Sequence, residues 1–383
     1  MKLNKAKWLS LFFVVGLGTL VVWNLFTPSR AYSESENRYL QEFPALSVDR
    51  ILSGDFAKDF DSFSSDQFPL REKWVALKTS VQMALLRPDN GRVYFGKNGR
   101  LFEIPAAENT IREEKNCQAV AAFLKAAQKK WTGIKTSVLL SPTAATILPE
   151  DLPKYAPVAD QAALLQRMQK ALGREIPFCD PTQAYLKQAD REQLFFRTDH
   201  HWTVYGAFAA YQAWAEATGL TPLKREEHTV KTVSSDFLGT LYSKANLPWI
   251  HPEKLEIFEP EQKNPCTVTA NNGKITLDSL YDPSFLKGRD QYSYFLGGNH
   301  PVTEVTTSVK NGKHLLLLKD SYAHSFTPFL TAHYEKIDLV DPRYFKEDLF
   351  AWIEGKGITD ILVLYNAATF AEDASLANVL AVD

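Results

Sequence analysis

The chain has 383 residues, with 43 lysines and arginines against 45 aspartates and glutamates. That length accommodates one full α/β core with some decoration. The near balance of charge leaves no basic field of the kind that recruits nucleic acid or an anionic surface. The three cysteines, Cys117, Cys179 and Cys266, show no zinc-ligand spacing and permit at most one bridge, so free buried thiols are expected.

At the N-terminus, Lys2, Lys5 and Lys7 precede an apolar run from Trp8 to Phe26, close to the length a helix needs to cross a bilayer. Positive charge ahead of the run predicts a cytoplasmic N-terminus and an extracytoplasmic remainder. No small-x-small cleavage site follows, so residues 1–30 read as an uncleaved signal anchor, with a cleaved signal peptide as the alternative. Arg30 to Asn37 is polar and reads as a short tether. Residues 31–380 are taken as one exported domain.

Phe56, Phe60 and Phe63 are spaced as the packing stripe of an amphipathic helix. The segment from Gly91 to Phe102 predicts strand, turn and strand, with Asn98-Gly99 supplying positive φ angles. A helix after Thr110 leads to a buried strand at Ser137–Leu140, and a second helix at Asp160–Leu172 leads to a short strand at Ile176–Cys179. The loop Ser141-Pro142-Thr143 falls at a strand's carboxyl end, where open α/β sheets place ligands. Val204 to Ala217 is helical in pattern. Residues 221–311 change character, with Pro, Asn and Gly between runs of strand composition, and predict a β-rich insertion or lid. Strict alternation then returns: strand His314–Leu318, helix Ala323–His333, strand Ile337–Val340, helix Phe345–Glu354 and strand Asp360–Leu364. Such alternation implies right-handed crossovers and a mainly parallel sheet.

Two pieces carry candidate chemistry. Ser321 follows four leucines and Lys319-Asp320 and precedes a helix, which puts it at the carboxyl edge of the sheet with its N–H facing the helix start. A strand-end serine is also a common helix cap. The string Thr198-Asp199-His200-His201-Trp202 places Asp199 and His201 on one face if the segment is extended, with His200 turned away. An aspartate beside an imidazole fixes its tautomer and stabilises the imidazolium formed when a serine proton is taken. The same residues admit a helix cap with packed histidines, or a metal site, although no HExxH motif accompanies them.

The strings TDHHW and KDSY, together with SESENRYLQEFP and the following SGDF and DQFPLR, resemble the DHHW family, SGNH-hydrolase-like proteins related to the alginate O-acetylation proteins AlgJ and AlgX. The resemblance covers roughly residues 32 to 370. It implies a three-layer SGNH-hydrolase-like α/β fold in which Asp-x-His precedes the serine, a circularly permuted motif order. By motif, Asp199 orients, His201 is the base and Ser321 the nucleophile; Lys319 stands where SGNH enzymes have a glycine. Asn366 is a candidate oxyanion-hole amide, with a turn asparagine as the competing reading. Arg343 resembles a family arginine near the site, with a surface ion pair as the competing reading. Gly239 is a candidate for a backbone N–H open to the site. The implied activity is extracytoplasmic O-acetyl transfer to, or acetyl-ester hydrolysis of, a surface polysaccharide. No cofactor is bound directly, and the acetyl group comes from a membrane-bound O-acyltransferase partner. The alternatives are a catalytically silent carbohydrate-binding scaffold and a metal-dependent deacetylase.

Overall fold

The computed structural model describes residues 5–33, 38–262 and 264–382. Lys2 and residues 34–37 of the expected tether lie outside the described residues. Two compact units emerge: one holds the residues up to Arg87 with Ser243–Trp249, the other Pro88–Tyr242 with Ile250 onward.

In the first unit, the 22-residue helix Lys5–Phe26 is long and apolar enough to cross a bilayer. The segment after it is pinned rather than free, because Arg30 N–H donates to Gln67 Oε1 and Gln67 Nε2 donates to the Arg30 carbonyl, each at 2.9 Å. Tyr32–Ser33 (β1) and Arg38–Tyr39 (β2) pair antiparallel. The stripe Phe56, Phe60 and Phe63 packs on Phe43, with ring centroids 5.3–6.5 Å from it.

In the second unit, Val93–Phe95 (β3) and Leu101–Glu103 (β4) form the expected hairpin, with φ of 55° at Asn98 and 74° at Gly99 in the turn. The remaining strands are Lys135–Ser141 (β5), Phe178–Cys179 (β6), His228–Phe237 (β7), Glu253–Pro260 (β8), Cys266–Ala270 (β9), Ile275–Leu277 (β10), Val302–Thr307 (β11), His314–Lys319 (β12), Lys336–Val340 (β13) and Asp360–Asn366 (β14). Eight of them make one sheet in the order β10-β9-β11-β13-β12-β14-β5-β6. The run from β13 to β6 is parallel, whereas β11, β9 and β10 add antiparallel.

The sheet is therefore mixed, which corrects the expectation of a mainly parallel one along one flank. The stretch 221–311 is β-rich, but it divides. Its β7–β8 pair forms a separate two-stranded ribbon, while β9, β10 and β11 extend the main sheet. β9 and β10 are joined by a short turn, which makes them antiparallel, whereas the longer connection from β10 to β11 carries the 3-10 helices Pro283–Lys287 and Gln291–Tyr294.

The four leucines of β12 show why the centre of the sheet lies inside. Leu315 and Leu317 join Leu362 and Leu364 on one face, under helices Val204–Thr218 and Ala323–Leu330. Leu316 and Leu318 join Ile361 and Val363 on the other, under helices Thr110–Lys130 and Gln161–Leu172. A strand covered on both faces needs no polar side, hence the continuous apolar run. Each such leucine contributes about 2 kcal/mol by leaving water. The helices expected at Ala323–His333 and Phe345–Glu354 are shorter, at Ala323–Leu330 and Leu349–Ile353. All three cysteines are free.

Candidate active site

The carboxyl ends of β12, β14 and β5 bring Ser321, Asn366 and Ser141 to one edge of the sheet. Ser321 stands two residues past the end of β12. Its Oγ is not spent capping a helix: it lies 2.7 Å from His201 Nε2.

The histidine sits at the tip of a tight loop closed by a bridge between Phe195 and Trp202 and by Phe196 N–H donating to the His201 carbonyl at 3.2 Å. Three anchors hold this loop. Arg100, almost fully buried, donates to the carbonyls of Glu192, Phe195 and Phe196 and to Asp151. Glu253 accepts from Arg197 N–H, Thr198 N–H and Thr198 Oγ1. Trp202 Nε1 donates to the Tyr322 carbonyl at 3.0 Å and to Ser325 Oγ at 2.9 Å. The last anchor ties the histidine loop straight to the turn that carries Ser321.

Asp199 and His201 meet by a different route from extended alternation. Asp199 Oδ1 accepts the backbone N–H of His201 at 2.9 Å, an Asx turn, and the same oxygen hydrogen-bonds His201 Nδ1. Asp199 Oδ2 accepts from Thr240 N–H at 2.7 Å and Thr240 Oγ1 at 3.1 Å. His200 is not turned away. Its ring centroid is 3.9 Å from that of His201, and its Nδ1 lies 2.7 Å from Thr240 Oγ1. The opposite face of His201 stacks on Tyr292 at 3.7 Å and 11°.

Charge follows from these contacts. Burial by itself would raise the Asp199 carboxyl, but His201, His200 and the Thr240 N–H hold it well below the usual carboxylate range. Burial, helped by His200, pushes the His201 imidazole down to about 4 against the opposing pull of Asp199. The imidazole is therefore neutral at pH 7. With its Nδ1 proton directed at Asp199, its Nε2 lone pair faces the serine hydroxyl.

The other sequence candidates have definite places. Lys319, in the position of the glycine of SGNH enzymes, sends a buried side chain beneath the turn, with Nζ 3.2 Å from Asp341 Oδ2 and 2.9 Å from His324 Nε2. Arg343 grips the same Asp341 through Nε at 2.8 Å and a terminal nitrogen at 2.6 Å, so its near-site charge is tied into an ion pair. Asn366 caps the helix Ala367–Glu372 through Thr369 N–H and donates its amide to Asp320 Oδ2 at 2.7 Å and Thr369 Oγ1 at 2.8 Å. It holds Asp320, which burial pushes up to about 6.

The N–H of Gly239 is not open to the site, in correction of the sequence reading, because it donates to Thr198 Oγ1 at 3.1 Å. The reason for a glycine there is space. A Cβ would lie 2.2 Å from both Asp199 Cβ and Asp199 Oδ2. Asp199, His200 and His201 are close enough to share a cation. Both His201 nitrogens, however, already have protein partners. Tyr292, Thr240, Glu253 and Arg100 carried no motif. Tyr322, whose hydroxyl donates to the His200 carbonyl at 2.8 Å, stood inside the KDSY string without a role.

A model of the family described as SGNH hydrolase-like domain, acetyltransferase AlgX matches residues 93–285, half of the chain. The chain belongs to this family. The match takes in the histidine loop and stops before Ser321. "Probable alginate O-acetylase AlgJ" of Pseudomonas syringae pv. tomato is 25% identical over 224 residues, 56% of this chain and 54% of that protein. The chain thus spans about half the length of the curated relatives it matches. Among solved structures, a DHHW family protein from Eubacterium siraeum superposes with a TM-score of 0.63 at 22% identity, covering 76% of this chain and all of the other. Bacillus cereus PatB1 superposes at 0.62 and 19%, covering 72% and 96%. The family model carries the SGNH hydrolase-like domain, and the two superpositions show a shared fold.

Proposed function

We propose that this AlgX-family chain is an extracytoplasmic O-acetyltransferase or acetylesterase acting on a surface polysaccharide through Ser321, His201 and Asp199. The observation that carries the reading is the 2.7 Å contact between Ser321 Oγ and a neutral His201 Nε2 whose other nitrogen is bonded to a buried carboxylate.

As Ser321 Oγ attacks the acetyl carbonyl, His201 takes its proton and Asp199 stabilises the imidazolium. The carbonyl oxygen becomes an oxyanion. Among the described residues, the Ser321 N–H at the turn has no protein acceptor, and it suits that charge. When the C–O bond to the departing group breaks, that oxygen receives the proton from His201, and acetyl-Ser321 remains. A sugar hydroxyl or water then attacks, its proton passing to His201 and back to Ser321 as the ester opens. Water exclusion decides between transfer and hydrolysis.

In this reading the motif order is a circular permutation of the SGNH arrangement. Helix Lys5–Phe26 anchors the domain on the outer face of the membrane, beside a membrane-bound O-acyltransferase that supplies the acetyl group. The test is hydrolysis of p-nitrophenyl acetate and labelling by a serine-reactive phosphonate. Both are expected in the wild type and absent in Ser321→Ala. Equal turnover by that variant refutes the assignment.

A further inference from the structure

Beside the serine–histidine pair lies a cleft walled by the same strand ends that carry the site. Asp199 and His200 form one wall, the Asn366 turn another, and Thr143 at the end of β5 a third. Alanines from the two helix starts after β5 and β14, among them Ala144 and Ala368, leave the floor shallow and unobstructed. The lining charge is one-sided. Glu103, Glu108, Glu113, Asp160 and Glu372 join Asp199, against the single guanidinium of Arg112.

Part of that charge is answered within the protein, as Glu113 pairs with Arg167, while the Asp199 carboxylate is held by hydrogen bonds from His201 and Thr240. The one cation, Arg112, donates to the neutral Glu372 carbonyl at 3.1 Å and keeps its charge. What faces solvent at the mouth is negative on balance, because Glu108, Asp160 and Glu372 are exposed against the single guanidinium of Arg112. Carboxylates gathered over low-dielectric walls focus a negative potential into the space between them.

We propose that this cleft receives the sugar, and that its rim selects a glycan without carboxylates, neutral or amino-bearing, over a polyuronate. The inference rests on the acyl-transfer reading above and names the substrate class of that site. A polyuronate brings one carboxylate with every ring, so each ring that enters meets like charge, a repulsive device for rejecting the wrong partner. A neutral sugar brings hydroxyl donors, which carboxylates accept well, and an amino sugar adds a charge-assisted bond. The relatives named for alginate, a polyuronate, would on this basis differ from this chain in acceptor.

The experiment uses the full chain in detergent and three partly O-acetylated oligosaccharide sets of matched length: a neutral β-glucan, a chitosan and a polyuronate. Cleavage of p-nitrophenyl acetate reports the acyl chemistry independently. The neutral and amino sets are expected to be deacetylated with kcat/KM about tenfold or more above the polyuronate at low salt. That gap should narrow several-fold at about 0.5 M salt, where screening shortens to a few ångströms. Binding of the unacetylated sets to Ser321→Ala should rank the same way, and this arm decides the inference whether or not an ester is cleaved. Neutralising the rim with Glu108→Gln and Glu372→Gln together should bring the polyuronate about threefold closer to the neutral set. A polyuronate bound or turned over as well as the neutral set at low salt overturns the inference while leaving the acyl chemistry intact. So does a gap indifferent to salt and to the double variant. Inert p-nitrophenyl acetate overturns the reading beneath it.

Discussion

Asp199→Asn separates the role of the carboxylate from its shape. Asp199 uses both oxygens as acceptors: Oδ1 toward the N–H and Nδ1 of His201, Oδ2 toward the N–H and hydroxyl of Thr240. An asparagine has one acceptor oxygen and one NH2. If its oxygen faces Thr240, the NH2 confronts His201 Nδ1, which must then accept; the ring proton moves to Nε2 and the serine loses its base. If the oxygen faces His201, the tautomer survives, but the half-buried Thr240 N–H meets an NH2 and is left without an acceptor, at a cost of about 1 kcal/mol. Either orientation removes the negative charge that steadies the imidazolium. At about 3.5 Å and an effective dielectric near 20 that charge is worth roughly 5 kcal/mol, or 10³–10⁴ in rate. The expected result is kcat for p-nitrophenyl acetate lower by about 10³–10⁴ with KM changed less than about threefold, because the lost interaction forms only in the transition state. A folded Asp199→Asn variant within tenfold of wild-type kcat, or one whose loss appears in KM, refutes the assignment of Asp199.

Gly239→Ala is expected to displace the Asp199 carboxylate, since the new Cβ would sit 2.2 Å from it. An activity loss of about 10–100-fold with a lowered Tm should follow from a misplaced orienting group, and wild-type activity in this variant would contradict the close approach. On pH, an imidazole depressed to about 4 predicts kcat/KM flat from pH 6 to 8 and falling only in strongly acid solution. The same depression affects stability. The unfolded histidine takes its proton near pH 6.5 and the folded one only near 4, so this contribution is full above about 6.5 and is lost as pH falls to about 4. It amounts to at most about 3 kcal/mol. Asp199, held low in the folded state, extends the loss below the ordinary carboxylate range. Denaturant midpoints that do not change between pH 7 and 4.5 would rule this out.

The centre of the fold was legible because burial on two faces leaves a plain mark: four consecutive leucines in β12, and a helix after each parallel strand. The antiparallel flank was not, since β9, β10 and β11 are three to six residues long and nothing in such short runs tells a lid from a sheet edge. At the site, Ser321, His201 and Asp199 could be named because their side chains are chemically distinctive and stand in compact strings. Their supports could not, since those supports act mainly on backbone. Glu253 and Arg100 hold the histidine loop largely through main-chain N–H and C=O groups, which every sequence contains. The misjudged direction of His200 has the same origin. Alternation assumes an extended segment, but Asp199 bends the chain through an Asx turn onto the N–H of His201, and that turn brings all three side chains to one place. Gly239 makes the point from the opposite side. A glycine in a sequence advertises either an available N–H or missing bulk, and only the position of a carboxylate 40 residues upstream in the chain decides that here it is the missing bulk.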